Sequence, residues 1–215
     1  MAVLFTSDYC EGALPQLLKR LTDTNMDQTI GYGNDEACKE ARETIKTLCG
    51  VPDADVHFLV GGTQTNSTVI SAVLRSYQGV ICASTAHINV HETGAIEHSG
   101  HKVLPLAATN GKIEASQIRE AMESHYQDPS AEHIVQPGMV YISQPTEYGA
   151  MYSKAELEAM SAGLFNISEK PASTFWEAVQ LLYLYHIGMC LDGQQHGISF
   201  GRIDQYFGSY YDADI

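Results

Sequence analysis

The sequence predicts an α/β fold on a mostly parallel sheet, continued by a mainly helical tail, and three of its features carry that reading. Short apolar runs alternate with longer stretches of helical period, the pattern of strand–helix–strand units. The apolar run at 56–60 stops at Gly61 and Gly62, and a helical pattern with Val69, Ile70, Val73 and Leu74 on one face begins beyond them. The 215 residues are 44% hydrophobic and 18% charged, a balance that allows a buried core.

At the start, Val3, Leu4 and Phe5 form a short strand or extended lead-in, and Ser7 and Asp8 a turn. Leu14, Leu17, Leu18 and Leu21 then recur at helical spacing, with Pro15 in the first turn, where its missing N–H costs nothing. Tyr32-Gly33-Asn34-Asp35 reads as a loop and N-cap for a helix that sets Ala41, Ile45 and Leu48 on one face. Residues 56–60 are a buried strand. The Gly61-Gly62 turn after it leaves the first N–H groups of the next helix unpaired, with the positive end of the macrodipole behind them, which suits an anion and most often a phosphate. Gly62 admits a ligand close to the main chain, and Thr63, Thr65 and Asn66 can cap the helix or donate to phosphate oxygens. A plain glycine turn with a capping threonine also fits this spacing, because the stretch lacks both the Walker lysine and the dinucleotide glycine fingerprint.

Residues 79–83 and 102–106 are the next two strands, and His87 opens a helical stretch between them. Asn110-Gly111 is a turn, 113–125 a helix with Ile118 and Met122 inward, and 139–143 a fourth strand. Ser153-Lys154-Ala155-Glu156 is a capping box opening a helix with Leu157 and Met160 apolar. His87 and His91 lie four apart, and His98 and His101 three apart. No HExxH pattern or cysteine partner accompanies them, so no metal site is expected.

The net charge of −14 argues against a sizeable surface for nucleic acid or anionic membrane. An anionic cofactor would need local backbone donors, which the glycine turn supplies. Five scattered cysteines with no CxxC pair favour reduced thiols in a cytoplasm over a disulfide framework. No basic stretch followed by an apolar one marks a signal peptide, and the apolar run near 181–191, interrupted by His186, is too short to span a bilayer.

Four motifs in order, Phe5-Thr6-Ser7-Asp8, Gly31-Tyr32-Gly33-Asn34-Asp35, Phe58-Leu59-Val60-Gly61-Gly62-Thr63-Gln64-Thr65-Asn66 and His87-Ile88-Asn89-Val90-His91-Glu92-Thr93-Gly94, resemble the threonine aldolase family. That family belongs to the fold-type-I enzymes dependent on pyridoxal phosphate, and the resemblance runs to about Met160. It implies a lyase that splits a β-hydroxy amino acid into glycine and an aldehyde, acting on a small amino-acid substrate as a homo-oligomer. It also implies that Gly62 and Thr63 hold the cofactor phosphate and that His87 stacks on the pyridine ring as the catalytic-site aromatic. Ser7 is implied at the entrance to the cofactor site, and Tyr32 in the active site of a neighbouring subunit. Gln144-Pro145-Thr146-Glu147 falls where the family has a substrate loop, with Glu147 in a place that some members fill with histidine.

Beyond Met160 the resemblance stops. The family continues with an aspartate for the pyridine nitrogen, an arginine for the substrate carboxylate and a lysine for covalent attachment of the cofactor. Here the remaining lysine is Lys170 and the remaining arginine Arg202, neither in such a setting. Pyridoxal phosphate is therefore expected to bind non-covalently at best. Thr174-Phe175-Trp176-Glu177 is a second capping box, followed by an apolar helix toward Met189. This helix and the stretch Ser199-Phe200-Gly201-Arg202-Ile203-Asp204-Gln205-Tyr206 resemble an internal segment of glycyl radical enzymes of the pyruvate formate-lyase type. The sequence thus divides into an incomplete threonine-aldolase-like region, 1–162, and a radical-enzyme-like helical segment, 163–215. The tail lacks the neighbours that bury such a helix in its parent family and is expected to pack poorly on the α/β part. Two readings follow: an inactive cofactor-binding part of a lyase in a chimeric gene product, or a catalytically silent module that binds an anion or acts by association.

Overall fold

The structure, a computed structural model, describes residues 12–167, 180–184 and 187–192. Ser7, Asp8, the Thr174–Glu177 capping box and the 199–206 stretch lie outside the described residues. The chain divides into two compact units, residues 1–44 and 45–215.

In the first unit the leucine periodicity becomes helix α1 (Pro15–Thr24), with Pro15 opening it as expected. Leu17, Leu18 and Leu21 stay exposed, and α1 has no buried residue among those described. Helix α2 (Glu36–Cys49) begins where Asp35 Oδ1 accepts the Cys38 N–H at 2.9 Å, an N-cap that also holds the Asp35 carboxyl below its ordinary range. The inward position near its end is Cys49 rather than the expected Leu48, which is exposed.

The second unit is built on a parallel sheet. Before that sheet come strand β1 (Asp55–Leu59) and helix α3 (Gly62–Val73), the predicted strand, turn and helix, although the strand expected to be buried has only Val56 buried and Val60 lies exposed beyond its end. Strand β2 (Gln78–Ala83) is buried at every position. Short helices α4 (His87–Val90) and α5 (Ala95–His98) lead to β3 (Lys102–Leu106), and α6 (Ala115–Gln127) leads to β4 (Gln136–Val140). Both β3 and β4 pair with β2 in parallel, in the order β3-β2-β4. β4 starts and ends three residues before the predicted 139–143 strand and takes in Pro137 and Gly138. Within the described residues β4 is an edge strand, where a proline is tolerated. Gly138 is needed for close packing: a Cβ there would lie 2.8 Å from Leu74 and 2.9 Å from Gln78.

Val80, Ile81 and Cys82 of the central strand pack with Ile70, Ile88, Ile96, Ile118 and Met122, none more than 1% exposed. Each such side chain contributes about 1.5–3 kcal/mol of burial, so this cluster is the main source of stability. Burial also pushes the Cys82 thiol up to about 12, which leaves it an inert core residue. Helix α7 (Lys154–Ile167) opens with the predicted capping box, Glu156 Oε2 accepting from both the backbone and the hydroxyl of Ser153 at 2.7 Å. Lys112 and then Ser153 hold the Glu156 carboxyl down at about 2.

Two expectations are corrected. β1 does not join the parallel sheet; it pairs antiparallel with β6 (Ile187–Asp192), which pairs antiparallel with β5 (Gln180–Leu184). These two strands occupy the stretch read as an apolar helix that would find no neighbour. A mostly apolar stretch has no clear period to separate a buried helix from a buried strand, Gly188 disfavours helix, and the pairing of β6 with β1 and β5 decides the outcome.

The route of the chain sets where a ligand can sit. From β2 it passes to β3 on one side and later to β4 on the other, so a topological switch point lies between β2 and β4 at their carboxyl ends.

Candidate functional site

Three segments supply this site. The first is the start of α3. Its N-cap, Gly61, makes no side-chain cap, and the first backbone bond inward runs from Thr65 N–H to Gly61 O at 2.9 Å. The amides of Gly62, Thr63 and Gln64 have no partner among the described residues. Of the three polar side chains read as phosphate donors, two are committed elsewhere. Thr65 Oγ1 donates to Gly61 O at 2.9 Å, and Asn66 Nδ2 donates to Glu92. Thr63, exposed, keeps its hydroxyl for a ligand. A Cβ built on Gly61 meets nothing within 4 Å among the described residues, so there is open space beside this position.

The second segment follows β2. His87 sits at the start of α4 with its side chain 45% exposed. Its Nδ1 lies 3.0 Å from Glu92 Oε1, and the Glu92 side chain is fully buried. That same oxygen accepts from Asn66 Nδ2 at 2.5 Å, which ties the first two turns of α3 to His87 through one carboxylate. The third segment is the loop after β4. Glu147 Oε1 accepts the His87 backbone N–H at 2.8 Å and the Ser143 hydroxyl at 2.6 Å, bridging the switch point between β2 and β4.

Five buried side-chain polar atoms have no partner among the described residues, and four of them, Asn66 Oδ1, Thr85 Oγ1, Glu92 Oε2 and Glu147 Oε2, fall on these three segments. Such atoms are normally paired, so their concentration here marks a place where the described residues leave polar groups for a further partner. The donor set fits a phosphate ester with an aromatic ring: free helix-end amides and a threonine hydroxyl for the anion, and a half-exposed, firmly held imidazole for the ring.

The start of α3, with Gly62 and Thr63, is linked to His87 through the Asn66–Glu92 pair. Tyr32 belongs to the first unit, wholly exposed and at φ 64°. Ser7 lies outside the described residues. Glu92 was given no role from the sequence, and Asn66 was read as a cap or phosphate donor, not as the partner of Glu92. The available signal was a polar pair, Thr65-Asn66, buried on an otherwise apolar helix face. A separate cleft of about 330 Å³ lined by Asn110, Lys112, Gln117 and Glu156 shares no residue with this site.

Residues 5–164 match the family model described as beta-eliminating lyase, and residues 141–215 match the model described as pyruvate formate lyase-like. A low specificity L-threonine aldolase of a Pseudomonas species is 34% identical over 160 residues, covering 74% of this chain and 45% of the relative. The solved threonine aldolase of Leishmania major superposes with a TM-score of 0.71 at 44% identity, covering 75% of this chain and 46% of that one. The glycyl radical subunit of 4-hydroxyphenylacetate decarboxylase from Clostridium scatologenes is 34% identical over 62 residues, 29% of this chain and 7% of that protein. The chain therefore spans less than half the length of the aldolases it matches.

One local strain belongs to the site. Thr93, next to Glu92, is β-branched and sits at φ 54°, a left-handed conformation that costs roughly 1–2 kcal/mol outside glycine and asparagine. Thr93→Asn is expected to raise the unfolding free energy by about 1 kcal/mol, read from the urea midpoint at unchanged slope. A lower midpoint would mean that the threonine side chain contributes more than its backbone costs.

Proposed function

Residues 5–164 place this chain in the beta-eliminating lyase family, and on that premise we propose that they form the cofactor-phosphate part of a threonine-aldolase-type lyase, binding pyridoxal phosphate reversibly. The observation that carries the reading is the set of unpaired amides at Gly62, Thr63 and Gln64, joined through Asn66 and Glu92 to His87 at the switch point. The amides and the Thr63 hydroxyl hold the phosphate, with the α3 macrodipole favouring its charge. His87 presents the flat face of its ring to the pyridine. Glu147 fixes the His87 backbone, so the ring is positioned from both ends.

When bound, pyridoxal phosphate supplies an electron sink for breaking a carbon–carbon bond of a β-hydroxy amino acid. The substrate side is assigned to Ser7 and to Tyr32 of a neighbouring copy, in a homo-oligomer. Within residues 161–215 the one lysine, Lys170, lies outside the setting of the family's attachment lysine, so the cofactor is held here without a covalent bond.

Its origin is proposed as chimeric. The two family matches overlap only at 141–164, and each covers a fraction of its relatives. Sequencing the source DNA across codons 155–170 should reveal a join between two reading frames. An uninterrupted frame recovered from independent DNA isolates would contradict that origin.

Calorimetric titration of the full chain tests the cofactor reading. Pyridoxal phosphate should bind and dialyse away, and pyridoxal, lacking the phosphate, should bind weaker by a factor of about ten or more, since hydrogen bonds to a charged group contribute about 1.5–3 kcal/mol each. Gly62→Val should weaken binding to a similar extent, and Lys170→Ala should leave it unchanged. Stoichiometric fixation of the cofactor on Lys170 by borohydride would overturn the non-covalent reading.

A further inference from the structure

We propose that Glu92, clamped by Asn66, is a positioning residue that locks His87 in the tautomer carrying its proton on Nδ1, leaving Nε2 as a fixed acceptor on the exposed side of the ring. The role concerns what His87 does within the site proposed above, and adds to ring stacking a second capacity: receiving and holding a proton at Nε2.

Glu92 Oε1 stands between Asn66 and His87. A carboxylate oxygen only accepts hydrogen bonds, so both neighbours must present donors. Asn66 Nδ2 stands 2.5 Å away; turned the other way, its carbonyl oxygen would face the carboxylate at the same distance, a repulsive contact. His87 Nδ1, at 3.0 Å, must likewise carry hydrogen. In a neutral imidazole that assigns the lone pair to Nε2. The carboxylate cannot turn away, because the Glu92 side chain is fully buried while His87 is 45% exposed. Breaking either contact would leave a buried charge with fewer donors, a costly outcome.

The surroundings hold the same arrangement. Glu147 Oε1 takes the His87 backbone N–H at 2.8 Å, which fixes the base of the side chain. His91 lies on the other flank, its ring centroid 5.4 Å from that of His87 and tilted by 48°. The left-handed backbone at Thr93 and Gly94 turns the chain immediately after Glu92. Stacking alone asks only for a flat ring, and a phenylalanine provides that without a buried acid. The buried Asn66–Glu92 pair is explained by a requirement on which nitrogen carries the proton.

The test is long-range proton–nitrogen correlation NMR on the full-length chain without added ligand, at a pH well above the ordinary histidine range, with the His87 signals assigned by their loss in His87→Asn. The parent chain should show Nδ1 protonated and Nε2 bare. Glu92→Gln, which can donate as well as accept, should shift His87 toward the Nε2–H tautomer or a mixture, and Glu92→Asp should restore part of the parent pattern. Asn66→Ser should loosen the preference without removing the carboxylate, which covers the case of a Glu92 variant that does not fold. An Nε2–H tautomer in the parent chain, or a folded Glu92→Gln chain with the parent tautomer intact, would overturn the proposal. If pyridoxal phosphate fails to bind the parent chain, the cofactor reading falls while the tautomer measurement still decides this one.

Discussion

One oxygen atom, Glu92 Oε1, holds the site together. It receives Asn66 from α3 and His87 from α4, and so fixes the free end of one helix against the start of another. A buried carboxylate costs several kcal/mol in lost hydration unless donors surround it. The chain meets that cost with two polar side chains, Asn66 and His87, whose nitrogens both face Glu92 Oε1. The strained backbone at Thr93 lies next to this carboxylate, as is common where a functional geometry over-rides local preference.

The fold makes the arrangement available. The order β3-β2-β4 sends the loops after β2 and β4 apart at their carboxyl ends, and Glu147 reaches across that gap to the His87 backbone. Beneath it the wholly buried β2 and its isoleucine-rich neighbours form a rigid floor. The inert Cys82 belongs to that floor, and the chemistry belongs to the loops above it.

Much of this was legible in the residues. The Gly61-Gly62 turn, the strand at 102–106, the Pro15 helix start and the Ser153–Glu156 capping box follow from local rules, and they appear as read. What was not legible depended on partners distant in sequence. Asn66 and Glu92 are 26 positions apart, and no periodicity links them. Pro137 and Gly138 look like strand breakers until the edge position and the tight contact with Leu74 are seen. The 180–192 stretch reads as helix because its apolar residues show no clear period, and pairing of β6 with β1 and of β5 with β6 makes it strand. The family carries a lyase chemistry, and the second match, to the pyruvate formate lyase-like model, explains why the sequence pattern changes character past Met160.

The central claim is that the start of α3 and His87 form one ligand site. Amide-resolved NMR of the full chain during titration with pyridoxal phosphate tests it most directly. The account predicts saturable shifts concentrated at the Gly62, Thr63 and Gln64 amides and at His87, reproduced at the three amides by inorganic phosphate alone. Shifts confined to other surfaces, such as the cleft beside Lys112, or a response at His87 without one at the α3 amides, would contradict it.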